Sequence, residues 1–196
     1  MIFFKNFKVK SLTKKIKAMQ HYRSHNQPTE EQLAKERSLY HQLAALYIKL
    51  SKHKKFPFAR EMYWECLRTS AKIEDIDAQF KLAKSSLDEA KFRESLEIGA
   101  VFSSPINDQQ MRRLYNEALA YLIAAETLGS VEAKRLRGLC YINGWGVETD
   151  CDQGFELVVA SIDQEKSWDK LPQIFATIGL NKTEFFTALM KHRHKS

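Results

Sequence analysis

Apolar residues recur along this chain at spacings of three and four, the period of a helix that is packed on one side. Val9, Leu12, Ile16 and Met19 begin the pattern, with Lys8, Lys10, Lys14, Lys15 and Lys17 around them. That is a basic amphipathic helix, preceded by an aromatic end of Phe3, Phe4 and Phe7. Pro28 closes the segment, and Thr29-Glu-Glu-Gln32 follows as a capping box: the Thr29 hydroxyl accepts a free backbone N–H while Gln32 reaches back. Glu30 and Glu31 suit the positive end of the helix dipole. Leu33, Leu39, Leu43, Leu46, Tyr47 and Leu50 then give one apolar face to about Ser51. The Lys52-His-Lys-Lys55 run follows, Phe56-Pro57-Phe58 makes a bend, and Met62, Tyr63, Cys66 and Leu67 form the next helical face.

The same reading predicts helices over about 74–98, 108–128, 131–143, 151–164, 168–178 and 182–193. Asn107, Ser130, Asp150 and Asn181 stand as their N-caps, and Ser85-Ser86 is a point where the 74–98 helix can break. The longest irregular stretch is 99–107. No segment alternates as a strand. Short connections between amphipathic helices make antiparallel neighbours, so the predicted fold class is all-α, a short α-solenoid of helical hairpins with an N-terminal basic amphipathic arm. The arm is residues 1–28 and the helical-repeat domain is 29–196.

Composition agrees with a folded helical chain: of 196 residues, 44% are hydrophobic and 28% charged, with seven Gly and four Pro. The net charge of +7 is uneven. Residues 1–60 carry fourteen Lys and Arg against three Glu, a balance of +11, which leaves −4 for the rest. Such asymmetry is either an arm for an anionic partner or a solvated helix face. Lys5, Lys8, Lys10, Lys14, Lys15, Lys17 and Arg23 are the candidate contacts to that partner. The arm has three readings: anionic lipid, nucleic-acid phosphates with His21, Tyr22 and Arg23 as stacking groups, or a protein groove. Lipid or protein is favoured over nucleic acid, because the aromatics cluster at one end instead of interleaving with the charges.

The stretch Gly129-SVEAKRLRGLCYINGWGVETD-150 is the most specific. Gly129, Ala133, Gly138, Tyr141, Gly144, Gly146, Val147 and Asp150 resemble, position by position, the SLR (Sel-one-like) repeat family, a bacterial tetratricopeptide-like helical repeat. The best match covers 129–162. Arg137 departs from the family's Leu, and Ala160-Ser161 from its Ala-Ala pair. Asp77-AQFKLA-83 is a weaker second match. Read physically, Ala124, Ala125, Ala133 and Gly138 let paired helices approach closely. Gly144 and Gly146 supply cheap positive φ where the helix stops and reverses. Asp150 caps the helix after it. The resemblance implies a non-enzymatic, protein-binding adaptor or scaffold and supplies no catalytic residues. The alternative is a peripheral membrane or nucleic-acid-binding protein acting through the arm.

Catalytic and ligand chemistry finds little support in the residues. Gly144-Trp-Gly146 follows a helix and lacks the Gly-Lys-Ser/Thr of a phosphate loop. His21 and His25 lie four apart but lack further metal ligands. His41 and His53 have no Ser or Cys nearby in sequence to suggest a nucleophile pair. Tyr63-Trp64, Trp145 and Trp168 read as core aromatics or, if exposed, as binding hot spots. No cofactor and no metal is expected. Cys66, Cys140 and Cys151 form no Cys-x-x-Cys pair, so reduced thiols are expected. Met1-Ile-Phe-Phe is interrupted by Lys5, and no apolar run approaches the ~18 residues of a membrane span. The expected location is cytoplasmic, with peripheral attachment to the inner face of a membrane as its variant.

Overall fold

A computed structural model describes residues 2–99, 104–178 and 183–193. Among them every regular element is helical and none is a strand. The helices are α1 (Ile2–His25), α2 (Glu30–Leu50), α3 (Ala59–Ala71), α4 (Ile76–Ile98), α5 (Pro105–Thr127), α6 (Val131–Asn143), α7 (Cys151–Glu165), α8 (Leu171–Ile178) and α9 (Thr183–Arg193). A 3-10 turn, Trp168–Lys170, leads into α8. The chain forms two compact units, Met1–Leu82 and Ala83–Ser196, so that α4 contributes its first turns to one and the remainder to the other. Within each unit helices pack in adjacent pairs: α1 on α2 and α2 on α3 in the first, α5 on α6, α6 on α7 and α7 on α9 in the second.

Local chemistry accounts for most of the ends. Thr29 caps α2 with the full reciprocal box: its hydroxyl accepts from Gln32 N–H at 3.3 Å, and its own N–H donates to Gln32 Oε1 at 2.9 Å. Ser130 accepts from Ala133 N–H at 3.2 Å, and Asp150 from Gln153 N–H at 2.9 Å. The expected cap at Asn107 is replaced by Ser104, whose hydroxyl accepts from Asn107 N–H at 3.1 Å, with Pro105 presetting the first helical φ. Asn107 is buried inside the first turn instead, where its Nδ2 donates to Glu97 Oε1 at 2.8 Å. Helix α4 runs unbroken through Ser85-Ser86, because the buried stripe of Leu82, Leu87 and Ala90 crosses that point without a gap. Asn181 lies outside the described residues.

The segment read as an arm is α1. Its Leu12 and Ile16 are buried in the first unit, while Lys8, Lys10, Lys14, Lys15 and Lys17 stay exposed and Lys5 is partly covered. The second unit has its core where α6, α7, α8 and α9 converge, around Leu139, Phe155, Val158, Ile162, Phe175 and Leu189. There α6 and α7 cross glycine on glycine. A Cβ on Gly138 would stand 2.6 Å from the Gly154 carbonyl oxygen, and one on Gly154 would stand 2.7 Å from that of Gly138.

Candidate binding groove

A groove of about 520 Å³ lies between α1 and α2. Ala18, Met19 and Tyr22 line it from α1, Leu39 from α2, and Pro28 from the connection. Lys15 and Lys35 stand at its rim. Its floor is an ion pair. Glu36 is only 2% exposed and accepts from Arg23 Nε at 3.2 Å and Arg23 Nη2 at 3.3 Å, a two-point fork. One turn on, Gln20 Nε2 donates to Tyr40 Oη at 2.6 Å. Burial, with Glu36 adding to it, raises the Tyr40 phenol to about 12, so it stays neutral. Arg23 is therefore engaged at home, whereas Lys15 lines the groove.

The groove was not read from the sequence, though one signal pointed to it. Glu36 sits three residues after Leu33 and three before Leu39, so an acid occupies the apolar stripe of α2. A charge in that position implies a buried partner.

The repeat residues lie together in the second unit. Gly129, Gly144 and Gly146 have φ of 99°, 71° and 75°. Gly144 ends α6 in the left-handed conformation, and Asp150 N–H donates to the Tyr141 carbonyl at 3.0 Å across the turn. Ala133 is fully buried. Arg137 forks onto Glu126 at 2.6 and 3.0 Å and reaches over the Tyr141 ring. Trp145 is half-buried: its ring lies parallel to Tyr115 at 6.5 Å, and Lys91 Nζ sits 3.7 Å from its centroid. Trp168 is half-buried too and donates Nε1–H to Asp163 at 2.6 Å.

A histidine, an aspartate and a serine do meet in the first unit, in an order unsuited to catalysis. Asp75 accepts from the Ser70 hydroxyl and from Ala78 N–H at 3.0 Å, and lies 2.7 Å from His41 Nε2. Ser70 is fully buried and bonds the carboxylate instead of the imidazole, so no base can activate it. The cluster is a helix cap. Burial alone would push the Asp75 carboxyl up, but hydrogen bonds from His41, Ser70 and Ala78 outweigh it and hold it at about 2. The bond to Asp75 raises His41 above its ordinary value, against an opposing effect of burial.

The sign of the linkage follows. Asp75 stabilises the fold above the usual carboxylate range, and that contribution is lost as pH falls toward about 2. His41 stabilises it below about pH 6.5, and that contribution is lost as pH rises through the raised value. The first unit is expected to be most stable between about pH 4 and 6.5. Urea midpoints measured across pH should fall on both sides, and His41→Gln should remove the alkaline decline and reduce the acid one, because His41 also helps hold the Asp75 carboxyl down.

Burial raises the thiols of Cys66 to about 12 and Cys140 to about 11, which keeps both protonated. His21 and His25 are exposed with ring centroids 4.6 Å apart. Among the described residues no group of three or more His, Cys, Asp or Glu is placed to hold a metal ion. No described helix is long and apolar enough to cross a membrane. No protein-family model matches the chain, and no curated protein shows detectable similarity to it.

Proposed function

We propose that this chain is a non-enzymatic protein-binding adaptor of the bacterial cytoplasm, built on Sel-one-like helical hairpins. In this reading the α1–α2 groove takes an apolar partner segment flanked by acidic residues. The observation that carries it is the groove itself: about 520 Å³ walled by Met19, Tyr22 and Leu39, with Lys15 and Lys35 at the rim. Such a site suits two or three anchors on one face of a helix, with the lysines selecting the flanks.

The repeat assignment draws support from a shared local pattern. Asp75 and Ser130 each cap a helix by accepting the N–H of an alanine three residues on, Ala78 and Ala133, and both alanines are fully buried. The Gly144–Gly146 reversal and the Gly138–Gly154 crossing supply the remaining features of a close-packed helical hairpin.

The test is selective loss of a partner. Met19→Glu places a charge inside the groove and is expected to weaken a cross-linked, identified partner at least about tenfold. Glu156→Ala, on an exposed position of α7, should leave that binding unchanged. Equal retention by both variants would remove the groove from the reading.

A further inference from the structure

One end of the first unit gathers its positive charge and its most exposed aromatics. Helices α1 and α2 run antiparallel, with register set by Gln20 against Tyr40 and Arg23 against Glu36. In antiparallel helices of equal rise the sum of facing residue numbers stays nearly constant. These two pairs sum to 60 and 59, so the end of α2 at Leu50 lies level with about Lys10, and the first two turns of α1 run on past it. The α2–α3 connection turns back at the same end through successive tight bonds, His53 N–H to Leu50 O at 2.9 Å and Phe56 N–H to His53 O at 3.0 Å.

Lys5, Lys8, Lys49, Lys52, Lys54 and Lys55 therefore share this end, and none is ion-paired among the described residues. Glu61 is the acid in the first turn of α3, and α1 has none in its own. Both helices point their positive N-terminal ends this way. Phe58 occupies the N-cap of α3 and makes no capping bond, which leaves first-turn N–H groups without a side-chain acceptor. Apolar groups project among the charges: Phe58 is 73% exposed and Phe7 67%, with Ile48 and Met62 also exposed.

We propose that this end is a contact surface for an anionic lipid bilayer, with Phe58 and Phe7 entering the headgroup boundary while the lysines hold the headgroups. Charge complementarity selects an anionic occupant, and the apolar set selects lipid. Ile48 and Met62 have no ring to stack on a base, whereas both gain from the acyl boundary. The N-terminus of α1 carries Lys5 and no acid in its first turns, which is unfavourable in the free protein, and an anionic surface relieves that strain. The inference is independent of the groove, since Lys15 and Lys35 take no part in it.

The full-length chain should sediment with phosphatidylcholine vesicles that contain phosphatidylserine and not with phosphatidylcholine alone. Replacing Lys52, Lys54 and Lys55 by Glu should weaken that binding at least about tenfold. Phe58→Asp, at an exposed position, gives a second reading should the triple variant fail to fold by circular dichroism, and should weaken binding as well. An environment-sensitive fluorophore on Phe58→Cys, in a Cys151→Ser background, should brighten and shift to the blue on those vesicles. The same label on Ser24→Cys in that background, exposed at the opposite end of α1, should not, and the two remaining cysteines are buried. Absence of serine-lipid binding overturns the proposal. So does binding that leaves the residue 58 label unmoved, or single-stranded RNA held more tightly than the vesicles.

Discussion

Arg23→Ala is expected to destabilise the first unit by about 3 kcal/mol, the low end for breaking a buried ion pair. The cost arises less from losing the attraction than from what is left behind. Glu36 is 2% exposed, and both its oxygens accept from the one guanidinium. With Arg23 gone, a carboxylate faces the apolar walls of Met19 and Leu39 with no donor in place. Arg23 itself is 35% exposed, so water entering along its path limits the penalty to the low end. The paired change separates these contributions. Arg23→Met with Glu36→Leu removes both charges at similar volume and should recover most of the loss, because desolvation is then no longer required. Urea unfolding of wild type, Arg23→Met, Glu36→Leu and the double variant completes a double-mutant cycle. A cost below about 1 kcal/mol for Arg23→Ala would show a solvent-screened pair and an open groove floor.

The same pair shows where sequence reading stopped. Local chemistry was legible because its partners lie three or four residues apart. Thr29 with Gln32, Ser130 with Ala133 and Asp150 with Gln153 each follow from the side chain's reach to its own first turn. The reversing glycines were legible for a related reason, since positive φ restricts which residues can serve. Arg23 and Glu36 are thirteen apart on two helices, and only the register of α1 against α2 brings them together. Periodicity shows that Leu12 and Ile16 share a face, but not that α2 covers it. Asn107 failed as a cap for a complementary reason. Ser104 and Pro105 provide a better start, which frees the amide to bond Glu97 within the second unit. The basic corner of the first unit is likewise tertiary: Lys8 and Lys52 are distant in sequence and share an end only once the hairpins form.

Gly146→Val is expected to destabilise the second unit by about 3 kcal/mol, from two causes that controls can separate. The first is conformational: Gly146 has φ of 75°, where a β-branched residue is strained by roughly 1–3 kcal/mol. The second is steric. A Cβ there would stand 2.9 Å from the Tyr115 carbonyl oxygen and 3.0 Å from its carbonyl carbon, which is backbone and cannot rotate aside. Tyr115 is also held from its far end. Its hydroxyl donates to Glu94 at 2.7 Å, and its ring lies parallel to Trp145, which Lys91 covers in turn. Relief of the clash must therefore disturb that stack, and the environment of Trp145 should change along with stability. Gly129 supplies the control: its φ is 99°, yet nothing lies within 4 Å of an added Cβ. Gly129→Ala should cost about 1 kcal/mol through backbone strain alone, while Gly146→Ala should cost distinctly more. Thermal melts monitored by tryptophan fluorescence read both effects. Equal costs at the two glycines, with unchanged emission, would mean that the α5 backbone at Tyr115 yields and that the turn is not clamped against it.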